Sequence, residues 1–375
     1  MDAETALTPA PVGVTPVTVI TGFLGAGKST LLQHVLHERH GRRIAVIQNE
    51  LGEGGALPEQ VTIASETGDR FDEWVELPNG CLCCNVRDKL TMALEALMER
   101  QGQFDYVLIE TTGVANPGAL ASTFWLDDAL ESRLMLDGIV TLVDAANVLR
   151  HVSEEAPLGK VNEVVQQIAY ADRIILNKTD LVPSAERLDA IERTVRAINS
   201  LAPVVRSEHA RVDLDAILGT RSFQTERALE VIIPVQSPGG GAGAAAVGSE
   251  HAIAVQTCTL RSRGRLELEP FKTWLCDLLW ERGGELTVFR MKGLLHFSGD
   301  PRPHALQAVH EVWDLKPCAP AAAGGGGEAG GGADAAVAAE GAEEGAQPSN
   351  QLVVIASNLD TAALEREFLA CMAAS

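Results

Sequence analysis

Residues 17–31 read Val-Thr-Val-Ile-Thr-Gly-Phe-Leu-Gly-Ala-Gly-Lys-Ser-Thr-Leu, an apolar run that breaks into a glycine-rich turn ending in Lys-Ser. Few patterns restrict a fold as tightly. A G-x-x-x-x-G-K-S turn that follows a strand and opens a helix is a phosphate cradle. Such a turn belongs to parallel sheets covered by helices on both faces. Each residue type has a physical reason. Glycines let backbone N–H groups wrap phosphate oxygens with no Cβ in the way. The helix that follows adds the positive end of its dipole. The expected cradle is Gly22, Gly25, Ala26, Gly27, Lys28, Ser29 and Thr30. Lys28 should reach the β- and γ-phosphates, and Ser29 should ligate Mg²⁺.

The rest of the first two thirds supports that class. Short apolar runs at 17–21, 44–48, 106–110, 139–144 and 173–177 read as buried strands. Segments 28–40, 86–101, 162–170 and 184–199 carry helical spacing. Strand–helix alternation of this kind predicts an α/β, doubly wound, mostly parallel P-loop NTPase sheet. Residues 236–248 (QSPGGGAGAAAVG) are of low complexity and read as a linker. Beyond them the pattern is strand, helix, strand, strand, helix, strand, helix, which predicts a small α+β domain of ferredoxin-like type. Its tryptophans Trp274, Trp280 and Trp313 read as core. Its histidines His296, His304 and His310 read as surface or packing residues. An Ala/Gly/Glu-rich stretch at 319–347 lacks large apolar residues and is expected to be a disordered insertion. The expected divisions are a leader at 1–16, a nucleotide domain at 17–235, the linker, and a C-terminal domain at 249–375.

Three further segments carry chemistry. Asn177-Lys178-Thr179-Asp180 follows a buried strand. An Asp carboxylate there accepts hydrogen bonds from the N1 and N2 donors of guanine, which adenine does not offer. Asn177 can bond the base edge, and the Lys178 stem can lie over its face. Downstream of a phosphate cradle, this pattern predicts GTP. Glu110-Thr-Thr-Gly113 ends another strand, with Glu110 placed to meet Mg²⁺ through water or to sense the γ-phosphate, and Gly113 able to hydrogen-bond that phosphate through its amide. Asp144 is a weaker candidate for a similar place, or a helix cap. Asn49-Glu50 follows the second strand, where Glu50 would contact Mg²⁺ or order the attacking water. Lys28, Glu50 and Glu110 are the candidate catalytic residues.

Asn79-Gly80-Cys81-Leu82-Cys83-Cys84 precedes the helix expected at 86–101. In a parallel sheet, helix N-termini lie at the ligand-binding edge. A helix N-terminus with Arg87 and Lys89 nearby favours thiolates. Cys81, Cys83 and Cys84 therefore form a candidate soft-metal site, suited to Zn²⁺ with Cu(I) as competitor. Three ligands leave a tetrahedral position open, which favours exchange over permanent structure. Buried apolar cysteines and a redox pair remain as alternatives.

Composition limits partners. The chain has 375 residues and a net charge of −21, from 30 basic and 51 acidic residues. That acidity opposes binding to phosphate backbones, so nucleic acid is not an expected partner. No uncharged apolar run is long enough to cross a bilayer, and the N-terminus has no basic residue before Lys28. A cytoplasmic protein is expected. The seven cysteines, three of them clustered, read as metal or redox chemistry instead of a disulfide frame.

Taken together, GFLGAGKST, NELGEG, NGCLCCNVRDKL, IETTGVANPG, DGIVTLVDA and ADRIILNKTDLVP resemble the CobW-type GTPases. The likeness continues through RMKGLLHF and VHEVWDL into a CobW C-terminal module. Within that family the chain is most similar to the eukaryotic zinc-regulated GTPase metalloprotein activators. The resemblance implies a GTPase that hands zinc to a client apo-metalloprotein, with GTP, Mg²⁺ and Zn²⁺ as cofactors and Cys81, Cys83 and Cys84 as the zinc ligands. A nucleotide-dependent zinc store or sensor without a client, and an insertase for another metal centre such as cobalt, are the alternatives. The subgroup often carries a Cys-Pro motif ahead of the cradle that docks type 1 methionine aminopeptidase. Residues 1–16 contain no cysteine, which counts against that client. Gln48 stands where some bacterial members have a metal-binding Glu, and Asn116 replaces the Asp of the family's A-D-P turn. A homodimer is an open expectation.

Overall fold

The computed structural model describes residues 14–38, 42–48, 60–64, 70–74, 94–95, 97–98, 104–113, 116–126, 133–154, 161–223, 255–282, 286–318 and 347–373. Its first sheet is assembled from β1 (Thr15–Gly22), β2 (Ile44–Gln48), β3 (Gln60–Ala64), β4 (Arg70–Trp74), β5 (Tyr106–Glu110), β6 (Leu134–Asp144), β7 (Arg173–Asn177) and β8 (Val204–Arg206). Their order across the sheet is β4-β3-β2-β5-β1-β6-β7-β8. The strands from β2 to β8 in that order pair in parallel, and β3 and β4 add an antiparallel hairpin at the edge. The helices are α1 (Lys28–His37), α2 (Pro117–Leu126), α3 (Val148–Ser153), α4 (Glu163–Tyr170) and α5 (Ala185–Ile198).

Strand periodicity explains why both faces of this sheet are covered. In β2, Ala45 and Ile47 face one core, while Ile44 and Val46 face the other. In β5, Val107 and Ile109 alternate in the same way with Tyr106 and Leu108. Leu31, Leu32, Val35 and Leu36 of α1 fill the second core, and α2 to α5 fill the first. Side-chain caps set the helix starts. Asn162 accepts from the amides of Val164 and Val165, and Ser184 accepts from that of Arg187. The first strand opens at Thr15, earlier than the apolar run at 17–21 suggests, because Thr15 and Pro16 pair with Leu134 and Met135.

The second sheet contains β9 (Val255–Arg263), β10 (Thr287–His296), β11 (Pro303–Val309), β12 (Val312–Pro317) and β13 (Ser349–Ser357), in the order β12-β11-β10-β13-β9. Every neighbouring pair is antiparallel. Helices α6 (Leu268–Cys276) and α7 (Thr361–Ala370) cover one face, through Phe271, Trp274, Leu275 and Phe368. This is an α+β unit, but the expected second helix of the pattern is instead the strand β12, folded back on β11 through His310 and Glu311. Trp274 is core, and Trp313 packs at its margin. Trp280 is not core: it is 54% exposed and donates from Nε1 to the Glu311 carbonyl. His310 stacks on Tyr170, and His304 packs edge-on against Phe297.

The other face of the second sheet lies on the first domain. Val255, Phe289, Val309, Val353 and Ile355 join one continuous apolar core with Ile168, Tyr170 and Ile198. Strand β13 contributes to two cores in strict alternation: Leu352, Val354 and Ala356 go to the helix side, and Val353 and Ile355 to the domain interface. At the centre of that interface Arg290 and Lys292 of β10 both meet the carboxylate of Asp172, which sits just before β7. Asp172 also accepts from the Ile139 amide at 3.1 Å. The Arg290 guanidinium lies 4.2 Å from the Phe223 ring centroid. No described helix is long and apolar enough to cross a membrane.

Candidate nucleotide site

The parallel strands deliver their C-terminal ends to one edge, and the candidate residues gather there. The turn after β1 has left-handed backbone at Gly25 (φ 77) and Gly27 (φ 108), conformations that side chains disfavour. A Cβ on Gly27 would also sit 2.5 Å from the Asn177 amide nitrogen. Ala26 is buried, and Ser29 and Thr30 are exposed at the first turn of α1. Lys28 opens that helix and folds back, donating to the carbonyls of Gly22 at 2.7 Å and Phe23 at 3.3 Å. Burial lowers the Lys28 pKa, against the opposing attraction of Glu110. The ammonium is thus held over the turn by its own backbone carbonyls.

Glu110, at the end of β5, is beside the cradle. Ser29 donates from Oγ to Glu110 Oε1 at 3.2 Å. A hydroxyl and a carboxylate meeting at the rim of a phosphate turn are the hard oxygen ligands that a Mg²⁺–phosphate complex takes. Three residues further on, Gly113 packs on the cradle itself: a Cβ there would lie 2.8 Å from the Leu24 nitrogen.

The Asn177–Asp180 segment is physically tied to the turn after β1. Asn177 ends β7 and donates from Nδ2 to the Ala26 carbonyl at 2.9 Å, while its Oδ1 accepts from the Ala210 amide at 2.8 Å. Lys178 is left-handed (φ 62) and pairs with Asp144 at 2.8 Å. Burial works to raise the Asp144 pKa, but hydrogen bonds from Lys178, Asn147 and Ala146 outweigh it and hold the carboxyl below its usual value. Asp144 therefore serves as the partner of Lys178 and the start of the turn into α3. Asp180 is exposed in the short helix Thr179–Leu181. The sequence reading missed Ser207–Ala210, the loop that completes this pocket. The Ser207 carbonyl accepts from the Thr179 hydroxyl at 3.1 Å. His209 and Ala210 take φ of 52° and 56° with no glycine to announce the turn.

The structure thus brings Gly22, Gly25, Ala26, Gly27, Lys28, Ser29, Thr30, Glu110, Gly113, Asn177, Lys178 and Asp180 to one sheet edge. Glu50, Cys81, Cys83 and Cys84 lie outside the described residues. Among the described residues no group of three or more His, Cys, Asp or Glu side chains is arranged to hold a metal.

Residues 16–206 match the family "CobW/HypB/UreG, nucleotide-binding domain". The chain belongs to this family. Residues 255–372 match the "Cobalamin synthesis protein cobW C-terminal domain", so both halves of the CobW architecture are present. A relative from Schizosaccharomyces pombe, zinc-regulated GTPase metalloprotein activator 1, is 37% identical over 322 residues, covering 80% of this chain and 77% of its own. The Escherichia coli zinc chaperone YjiA is 34% identical over 306 residues, covering 79% and 86%. The crystal structure of Zn(II)-bound YjiA GTPase superposes with a TM-score of 0.68 at 25% identity, covering 96% of this chain and 99% of that one. The CobW assignment agrees with the strand order, the phosphate turn and the antiparallel second domain.

Proposed function

We propose that this CobW-family protein is a Mg²⁺-dependent GTPase that acts as a zinc metallochaperone, coupling the nucleotide cycle to delivery of zinc to a client apo-metalloprotein. The observation that carries the nucleotide half is the Asn177 side chain, which spans from the base-reading turn to the phosphate turn at Ala26. Base recognition and phosphate positioning are therefore one rigid apparatus. Asp180 reads the guanine N1 and N2 donors, and Lys178 flanks the ring. Backbone amides of 22–29 and the Lys28 ammonium neutralise charge that develops on the β-phosphate as the bond to the γ-phosphoryl group breaks. Ser29 and Glu110 would hold Mg²⁺, which would supply positive charge against the phosphates. The Gly113 amide reads the γ-phosphate. Attack by water yields GDP and inorganic phosphate.

Zinc is cargo on this reading. Relatives named as zinc chaperones and zinc-regulated activators, together with the thiol trio Cys81, Cys83 and Cys84 in the sequence, support it. GTP turnover measured with and without Zn²⁺, on wild type and on a Cys83→Ser/Cys84→Ser variant, tests it. Zinc should change the wild-type rate and leave the variant unmoved. By linkage, any effect of GTP on zinc affinity must be matched by an equal effect of zinc on GTP affinity. Identical zinc affinity in GDP and in a non-hydrolysable GTP analogue sinks the coupling.

Base choice has its own test. Asp180→Asn exchanges an acceptor pair for one acceptor and one donor. GTP affinity should fall by ~10²-fold or more, while xanthosine triphosphate, with an oxygen in place of the guanine amino group, should gain. Competition titration of the two nucleotides reads the switch.

A further inference from the structure

Helix α4 touches the nucleotide site at one point and the C-terminal domain at another. Gln167 of α4 donates from Nε2 to the Gly113 carbonyl at 2.9 Å, and the contact is buried. Gln167 is 1% exposed, and its Oε1 has no partner among the described residues. The amide orientation is therefore set by Gly113. Three residues later on the same helix face, Tyr170 meets the far end of the same loop. The Asn116 side chain lies beside the Tyr170 hydroxyl, and a Cβ on Gly118 would fall 2.3 Å from the Tyr170 ring. One helix face thus bonds Gly113 and packs on Gly118.

The same helix faces the second domain. The Tyr170 ring packs edge-on against Phe289, with centroids 5.1 Å apart, and stacks on His310. Asp172 follows directly and takes Arg290 and Lys292 of β10. Val164, Val165, Gln167, Ile168, Ala169 and Tyr170 are all buried, with only Glu163 and Gln166 partly exposed, so most of α4 is close-packed against its neighbours. The Thr141 hydroxyl further pins it by donating to the Gln167 carbonyl at 2.9 Å.

We infer that α4 is the element through which the γ-phosphate state reaches the C-terminal domain, and that Gln167 is a positioning residue for the Gly113 loop. This rests on the GTPase reading. A ligand shifts an equilibrium only through contacts that differ between two states. On that reading GDP and GTP differ at Gly113, where the γ-phosphate is sensed. The Gln167 amide holds that residue, and the helix carrying it abuts Phe289 and His310. Movement at Gly113 transmits to β10 and the β11–β12 hairpin as a rigid-body shift of α4.

The test is Gln167→Leu, assayed beside wild type. The change removes the unpartnered Oε1 but also leaves the Gly113 carbonyl without its donor, so thermal melting is measured beside the affinities to separate folding from positioning. GDP affinity should stay within twofold. Affinity for a non-hydrolysable GTP analogue should fall about tenfold, and kcat should fall at least as much. Equal losses for both nucleotides, or none, overturn the positioning role, because a purely structural glutamine does not discriminate between them. Hydrogen exchange of the wild-type protein gives an arm independent of any variant. Exchange at 163–170 and across 303–317 should differ between the GDP and analogue complexes. No difference at 303–317 overturns the relay. A wild type that hydrolyses no GTP refutes the GTPase reading itself, an outcome distinct from either.

Discussion

Lys28→Ala should lower GTP turnover by about 10²–10³-fold while the protein remains folded. The Lys28 ammonium sits 2.7 Å from the Gly22 carbonyl and is the cation that the turn itself holds over its own backbone. Burial has already removed much of its water, which is why its pKa is lowered. A charge desolvated in advance loses little more on meeting phosphate, so its attraction for developing negative charge is nearly undiluted. Alanine leaves Gly22 and Phe23 their turn geometry and is a good first residue for α1. Arginine should not rescue, because a planar fork does not fit a site that takes a compact ammonium. Phosphate release and thermal melting, measured together, separate chemistry from folding. Turnover within threefold of wild type in Lys28→Ala would mean that this ammonium does not meet the reacting phosphates.

Asp172→Asn should destabilise the protein by about 3–5 kcal/mol. Asp172 is the carboxylate between the Arg290 guanidinium, which is fully buried, and the Lys292 ammonium 3.4 Å away. Removing its charge leaves two cations facing each other across a dry interface. Burial is the main cause that pushes the Lys292 pKa down to about 8 from 10.5, with Arg290 repulsion adding to it and Asp172 opposing. Between those values the unfolded chain binds a proton that the folded chain does not. The Lys292 penalty is therefore fully present below pH 8 and is relieved as pH rises toward 10.5. Lys292→Met should abolish that alkaline contribution, and denaturant melts at pH 7 and pH 9.5 measure both effects. A loss below about 1 kcal/mol for Asp172→Asn would show that water reaches these charges.

Motifs that act locally were readable from the chain. The phosphate turn, the Asn177–Asp180 turn and the acid at the end of β5 declare themselves because their chemistry needs fixed residue types at fixed offsets after a strand. The two-sided burial of β2 and β5 was also visible, since a parallel strand reads as one apolar run. What was not legible depends on partners far away in sequence. Arg290-Met291-Lys292 in a strand looks like a solvated edge, and nothing nearby announces Asp172 as its counter-charge. Gln167 reads as a polar residue on an amphipathic helix, because Gly113 lies two helices and a strand earlier. The hairpin from β11 to β12 turns at His310, which holds φ 54 without glycine or asparagine, so the turn left no signature and a helix was expected instead. Trp280 was assigned to the core on size alone, whereas its indole N–H finds a carbonyl at the rim. The Ser207–Ala210 loop hides for the same reason as the hairpin: its left-handed residues are His and Ala.

Strand β13 has a consequence for folding. It lies inside the second sheet between β10 and β9, yet it is drawn from residues 349–357, far along the chain from both neighbours. Its alternate side chains complete both apolar layers, so neither layer closes without it. A chain that lacks it leaves the flank of Ile168, Tyr170 and Ile198 bare. A stop codon anywhere before residue 349 should therefore yield an aggregating product instead of a working half.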